Sequence, residues 1–267
     1  MGDVTSSALF GSRRPALIRG REQASFVLLS KDDGVLCGLE VFARTFSLLD
    51  RNASFETEHA DGDRIGRGLV IGRLRAELRA ALAGERTALN LISHLSGIAS
   101  RTRLFVDAAA GRPVILDTRK TLPGLRALQK YAVACGGGEN HRLGLYDMVL
   151  IKDNHVDAAG GVERAVALAR GRWGRRFKIE VETRTLDEVK AALASGVDRI
   201  MLDNMDDDGI RAAVGLVAGR AQTEASGNMS LERMPALHEA GVDFVSVGEL
   251  THSVRAHDFS LKREATS

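Results

Sequence analysis

From Val114 to about Val247 the chain alternates short apolar runs with amphipathic stretches, and that alternation leaves few folds open. The apolar runs lie at 114–116, 148–151, 178–181, 199–202, 221–225 and 243–247. Between them, segments 125–134, 162–169, 186–195, 207–217 and 231–240 carry apolar residues at helical spacing. Each crossover is long enough to hold a helix, so the strands are predicted to run parallel in an α/β fold. Six such strands are too few for an eight-stranded barrel. They fit an incomplete barrel or an open doubly wound sheet, and periodicity does not separate the two.

The first hundred residues read differently. A strand is predicted at 25–29, a turn at Asp32-Asp33-Gly34, a short strand at 35–37 and a helix at 39–49. Alternation of Ile65, Leu69 and Ile71 adds strand character, so this part reads as an α+β unit. The clearest helix is predicted over 85–110, where Ala88, Leu91, Ile92, Leu95, Ile98 and Ala99 share one face. Gly84 precedes it, Ser96-Gly97 marks a place for a kink, and Gly111-Arg112-Pro113 supplies a stop.

Every strand of the second part ends in polar side chains. Asp117 is followed by Arg119 and Lys120, and Ile151 by Lys152-Asp153-Asn154. Glu180 and Glu182, Asp203-Asn204, Glu224 with Ser226-Gly227, and Gly248-Glu249 complete the series. In parallel α/β folds these ends converge on one face, where sites form. The formal net charge is only +2, so the cations are a local feature and nothing global points to nucleic acid or a membrane surface. The basic run from Arg170 to Arg176 reads as a solvated loop, since no nucleic-acid motif accompanies it. Cys37 and Cys135 have no metal-ligand spacing and read as free thiols of a reducing cytoplasm. No run of about 18 apolar residues suggests a membrane span.

The order of motifs carries a resemblance. Glu85-Arg86-Thr87-Ala88-Leu89-Asn90, Leu95-Ser96-Gly97-Ile98-Ala99, Asp117-Thr118-Arg119-Lys120-Thr121, Gly136-Gly137-Gly138 and Asn140-His141-Arg142 come first. Ile151-Lys152-Asp153-Asn154-His155, Leu202-Asp203-Asn204 and Val247-Gly248-Glu249-Leu250-Thr251-His252-Ser253 follow. The chain resembles the quinolinate phosphoribosyltransferases from its Gly2-Asp3-Val4-Thr5-Ser6 run to about Leu261. The resemblance implies an N-terminal α/β sandwich over 1–88, an incomplete six-stranded α/β barrel over 89–257, and a tail at 258–267 that packs towards the first part. This is the type II phosphoribosyltransferase fold.

The same resemblance implies transfer of phosphoribose from phosphoribosyl pyrophosphate to quinolinate. The products are nicotinate mononucleotide, pyrophosphate and carbon dioxide, in NAD synthesis, with Mg2+ assisting. Arg119, His141, Arg142 and Arg86 of a partner copy would hold the two carboxylates of quinolinate, so a homodimer or higher oligomer is implied. A guanidinium offers a planar fork of donors that suits a carboxylate. Lys120 and Lys152 would meet pyrophosphate and carboxylate oxygens as point charges. Glu182 and Asp203 would stabilise positive charge at the ribose, take up hydroxyl protons or hold magnesium through water. Glu180, two residues from Glu182, points to the same side of its strand and competes for that role. Ser226, Gly227 and Gly248 would bind the 5′-phosphate through backbone N–H groups. His252 lies in a family motif, whereas His155, His238 and His257 read as surface or packing residues.

The sequence departs from the family pattern in three places. The family carries a helical segment before the run at 2–6, which here follows Met1 directly. Asn228 replaces a common glycine, and Glu249 replaces a small residue beside the phosphate loop, where a negative charge has to point away or meet a cation. Two other readings stand beside the leading one. They are the molybdenum-operon homologue of the same fold and a non-catalytic anion-binding protein. The paired clusters Thr118-Arg119-Lys120 and Asn140-His141-Arg142 favour a dicarboxylate substrate.

Overall fold

The computed structural model describes Thr5 and residues 22–264, so the run at 2–6 lies outside the described residues except for Thr5. The chain divides into two compact units. One holds the residues up to Ser100 together with those from Val254 onward, and the other is Arg101–Ser253. The sequence reading placed its division at 88/89.

In the first unit, strands β1 (Gln23–Ser30), β3 (Ser54–Glu56), β5 (Val70–Glu77) and β12 (Phe259–Arg263) form a sheet in the order β12-β1-β5-β3, antiparallel throughout. A short ladder joins β2 (Gly34–Val35) to β4 (Arg64–Ile65). Along β1, Ala24, Phe26, Leu28 and Ser30 are buried and their neighbours are more exposed, the period-two pattern of a half-buried strand. Helix α1 (Leu39–Ser47) adds Phe42 and Phe46, one turn apart, and Phe42 meets Phe46 and Phe55 edge to face. Asp61 Oδ1 accepts from the Gly38 and Leu39 amides and so satisfies the helix start that Gly38 has no side chain to cap.

Helix α2 spans Leu78–Ala108, 31 residues, and begins a full seven residues before the predicted start at 85. Gly84 is therefore a packing glycine inside the helix, not a boundary. A Cβ there would lie 3.0 Å from both Phe46 and Leu49. The helix ends as expected, with Ala110 and Gly111 in left-handed conformation at φ 50 and 93°.

The second unit is built on six parallel strands: β6 (Val114–Leu116), β7 (Val149–Ile151), β8 (Ile179–Thr183), β9 (Arg199–Asp203), β10 (Gln222–Ser226) and β11 (Phe244–Ser246). Their spatial order is β6-β11-β10-β9-β8-β7. A doubly wound sheet reverses its winding at a switch point. Here the strands from β7 to β11 follow one another in a single direction and β6 returns beside β11. That is the order of a barrel left open between its first two strands, which decides the question that periodicity left open. The connecting helices are α3 (Arg126–Cys135), α4 (Asp153–Ala159), α5 (Val162–Trp173), α6 (Leu186–Ala194), α7 (Asp207–Val217), α8 (Met234–Ala240) and α9 (Glu249–His252). The strands are buried almost throughout, as expected of a sheet covered by crossover helices. Helix α4 escaped the sequence reading because its residues were absorbed into the motif at 151–155. Its start is fixed by His155 Nδ1, which accepts from the Lys152 amide at 2.9 Å. Among the described residues, no helix is long and apolar enough to cross a membrane.

Candidate active site

At the carboxyl ends of the parallel strands lies a cavity of about 750 Å³. Arg119, Lys120, His141, Arg142, Lys152, Glu182, Asp203, Ser226, Gly227 and Gly248 all line it. Ten of the eleven site residues predicted from sequence thus meet in one place. The eleventh, Arg86, is exposed on α2 in the first unit, whereas every lining residue belongs to Arg101–Ser253.

The cation loops are held from below. Asp117, at the end of β6 and fully buried, accepts from the His141 amide at 2.9 Å and pairs with the buried Lys130. Lys130 Nζ also donates to the His141 carbonyl at 3.0 Å. With its amide nitrogen turned inward, Asn140 donates to the other Asp117 oxygen at 2.6 Å. Burial raises the Asp117 pKa, against the opposing pull of Lys130 and the His141 amide. A buried carboxylate with so many donors is a structural anchor, and it explains why a loop of irregular backbone keeps one shape.

His141 stands over two buried carboxylates. Its Nε2 lies 3.1 Å from Glu180 and 3.5 Å from Glu224. Burial alone would lower the imidazole pKa, but the two carboxylates outweigh it and push it up to about 9. Glu180 is pushed up to about 7, by burial first and by Glu224 second. Burial opposes ionisation of Glu224 as well, but His141 and Arg199, whose Nη1 donates to it at 2.8 Å, hold its pKa down. The three groups lie close enough that the ionisation of each depends on the others. The Arg142 amide nitrogen lies 2.7 Å from His141 Nδ1, and Nε2 is the ring nitrogen that faces the carboxylates.

Glu180 and Glu182 do share one strand face, as the two-residue spacing requires, but at different depths. Glu180 is fully buried beneath His141, whereas Glu182 lines the cavity. Lys152 Nζ donates to Glu182 at 2.5 Å. Asp203 accepts from the Asn204 side-chain amide at 2.7 Å. Burial and the like charge of Arg119 press the Arg142 pKa below its ordinary value. Two guanidiniums crowded together in one concave site suit a ligand carrying more than one negative charge.

The loops after β9 and β10 interlock. Asn204, at φ 56°, donates its amide to the Ser226 carbonyl at 2.8 Å, and its side-chain oxygen accepts from Asn228 at 3.3 Å. Gly227 has φ 90°, and a Cβ on it would fall 2.2 Å from Asn204 Oδ1. Asn228 takes φ 51°, a conformation asparagine tolerates, so its replacement of a glycine is mild. Glu249 meets the cation it needs: Arg101 donates to it at 2.8 and 2.5 Å. His252 lines the cavity, whereas His155 caps α4, His238 bonds the carbonyls of Ala109 and Arg112, and His257 meets Ser30. The sequence reading named Asn204 only as part of a strand-end motif and did not select Arg101 or Lys130. Glu224 carried the one available signal, a carboxylate inside an apolar strand.

An open parallel barrel whose strand ends gather cations, two carboxylates and a glycine turn into one cavity is the architecture of an enzyme that handles a substrate with several negative charges. The sequence model of the quinolinate phosphoribosyl transferase N-terminal domain matches residues 3–96, and that of the C-terminal domain matches residues 98–262. The probable nicotinate-nucleotide pyrophosphorylase [carboxylating] of Bacillus subtilis is 42% identical over 261 residues, covering 97% of this chain and 87% of its own. The chloroplastic nicotinate-nucleotide pyrophosphorylase [carboxylating] of Arabidopsis thaliana is 44% identical over 252 residues, covering 88% of this chain and 72% of its own. The crystal structure of NadC from Streptococcus pyogenes superposes with a TM-score of 0.89 at 41% identity, over 97% of this chain and 94% of that one. The chain belongs to the quinolinate phosphoribosyltransferase family.

Proposed function

We propose that the cavity residues divide the labour of one reaction between its two ends. The enzyme transfers phosphoribose from phosphoribosyl pyrophosphate to quinolinate and releases pyrophosphate and carbon dioxide, giving nicotinate mononucleotide for NAD synthesis. The observation that carries the assignment of roles is the placement of Arg119, His141 and Arg142 in the same cavity as Glu182 and Asp203.

Arg119 and Arg142 grip the two ring carboxylates, and His141 fixes the loop between them. Each charge-assisted contact contributes about 1.5–3 kcal/mol. The ring nitrogen then attacks the anomeric carbon as the C–O bond to pyrophosphate breaks. Positive charge develops at the ribose, and the carboxylates of Glu182 and Asp203 stabilise it. Lys120 and Lys152 meet the departing pyrophosphate, so Lys152 exchanges its Glu182 partner for phosphate oxygens when substrate arrives. The Ser226-Gly227 turn and Gly248 present backbone N–H groups to the 5′-phosphate. After transfer, the bond from the ring carbon next to the nitrogen to its carboxylate breaks and carbon dioxide departs; the electron pair stays on that carbon, stabilised by the adjacent positive nitrogen, and takes up a proton.

Magnesium fits this donor set at Asp203, whose carboxylate faces the cavity while Glu182 is engaged by Lys152. Bound there, directly or through water, it would neutralise pyrophosphate charge. Arg86 would enter the site of a neighbouring copy in a homodimer or larger homo-oligomer. Its exposure on α2 supports that reading.

The test is quinolinate-dependent formation of nicotinate mononucleotide from phosphoribosyl pyrophosphate and magnesium, with nicotinate as control acceptor. Product from quinolinate alone is expected. No product from folded protein overturns the reading. For Arg86, mixing Arg86→Ala with Lys152→Ala protein should restore part of the activity through hybrid oligomers. No recovery despite proven subunit exchange would remove Arg86 from the site.

A further inference from the structure

Helix α3 carries polar side chains on the face where an amphipathic helix should bury apolar ones. Gln129 and Lys130 are buried, and Arg126 is half-buried at the first helical position. An arginine there opposes the positive end of the helix dipole, and no acidic residue in the first turn offsets it. Spacings of three and four put all three side chains on one face. Burying such groups is unfavourable unless they are fully engaged, and all three are engaged by the active-site loops.

Arg126 spreads its guanidinium over two loops. Its Nε donates to Thr121 Oγ1 at 2.9 Å, its Nη2 to the Arg119 carbonyl at 3.3 Å and its Nη1 to the Leu143 carbonyl at 3.3 Å. Gln129 accepts from the Leu122 amide at 2.8 Å and donates to the Thr251 carbonyl at 3.4 Å. Thr251 in turn donates to the Lys120 carbonyl at 2.8 Å. Lys130 holds the His141 carbonyl, as described. One helix face is thereby tied to the backbone of the Arg119–Lys120 loop, the His141–Arg142 loop and the turn after β11.

We infer that Arg126 is a positioning residue that sets the spacing between Arg119 and Arg142, and with it the preference for an acceptor bearing two adjacent carboxylates. This rests on the assignment of quinolinate binding made above. Arg126 does not line the cavity, so it acts through the two loops it joins. A guanidinium has the geometry for this task because it alone offers several donors in a fixed plane. A lysine spans one acceptor at a time.

The experiment is steady-state kinetics of the full chain with quinolinate, phosphoribosyl pyrophosphate and magnesium, for wild type, Arg126→Ala and Arg126→Lys. Nicotinate serves as the one-carboxylate competitor, and thermal midpoints are recorded for each protein. Arg126→Ala should raise the KM for quinolinate about tenfold, as expected when a binding pair is misplaced by a fraction of its length. The KM for phosphoribosyl pyrophosphate and the thermal midpoint should stay near wild type. The preference for quinolinate over nicotinate should fall by the same factor as quinolinate affinity, and Arg126→Lys should fall between. An unchanged quinolinate KM overturns the inference. So does an equal rise in both KM values with a lowered midpoint, which would make Arg126 a general structural residue. Should Arg126→Ala not fold, Arg126→Lys supplies the same comparison. Wild type that fails to use quinolinate would instead overturn the functional reading itself.

Discussion

Arg101 turns both its Nε and its Nη2 onto a single oxygen of Glu249, at 2.8 and 2.5 Å. Glu249 follows Gly248 directly and lines the cavity, so without Arg101 it would place a bare negative charge beside the ribose phosphate. Both side chains are about one-third exposed, at 34 and 33%, and a pair so placed adds little to stability. Its effect belongs to substrate binding. Arg101→Ala should raise the KM for phosphoribosyl pyrophosphate several-fold and leave the quinolinate KM alone. Glu249→Ala in the same protein should recover most of the loss. A double-mutant cycle on the two KM values measures the coupling.

Glu182 is the carboxylate expected to feel the developing ribose charge, while Lys152 neutralises it at rest. Glu182→Gln keeps the shape and removes the charge. It should lower kcat by about 100- to 1000-fold, the usual scale for loss of one electrostatic stabiliser. The KM for either substrate should change much less, since the interaction strengthens only in the transition state. Rapid-quench kinetics on a single turnover check that the chemical step is the one slowed.

Gly227→Ala tests the interlock of the loops after β9 and β10. The added Cβ would meet Asn204 Oδ1 at 2.2 Å and the Asn204 backbone nitrogen at 3.0 Å, at φ 90°. The backbone strain alone is worth about 1–3 kcal/mol. Weaker binding of phosphoribosyl pyrophosphate and a lower thermal midpoint are expected together, by calorimetry of binding and of unfolding.

The buried cluster under His141 predicts a pH dependence of stability. His141 is held up to about 9 in the folded protein against an ordinary 6.5, so its contribution is complete below pH 6.5. Between 6.5 and 9 the unfolded chain releases a proton that the folded protein keeps, and stability falls as pH rises. Glu180, pushed up to about 7 from 4.5, acts in the same direction between 4.5 and 7. The slope is on the order of 1 kcal/mol per pH unit for each proton held. Urea unfolding at pH 6, 7.5 and 9 reads this as a falling midpoint, and Glu180→Gln should flatten the curve.

Much of this architecture is legible in the sequence, for identifiable reasons. The strands at β6 and β9 and the helix at α7 were found within a residue because apolar runs there are bounded by glycine, aspartate or proline. The start of α2 was missed because Gly84 has the look of a boundary, and only the packing of Phe46 and Leu49 against it reveals its role. The cavity residues were found through strand-end chemistry and motif order. The support beneath them was not, because Lys130, Arg126 and Arg101 look like ordinary helix-surface cations until the fold turns them inward. Glu180 and Glu224 are separated by 44 positions, and only the β8-β9-β10 order places them under one imidazole.

The pairing of β12 with β1 joins Phe259–Arg263 to a strand that ends at Ser30. During synthesis the six parallel strands have all left the ribosome before that last strand emerges. The first unit is therefore made first and completed last. A nascent or C-terminally trimmed chain would keep every strand of its barrel yet expose the backbone edge of β1. Such an edge recruits other strands. Removal of Phe259–Arg263 would then show itself as aggregation of the protein before any defect in its chemistry.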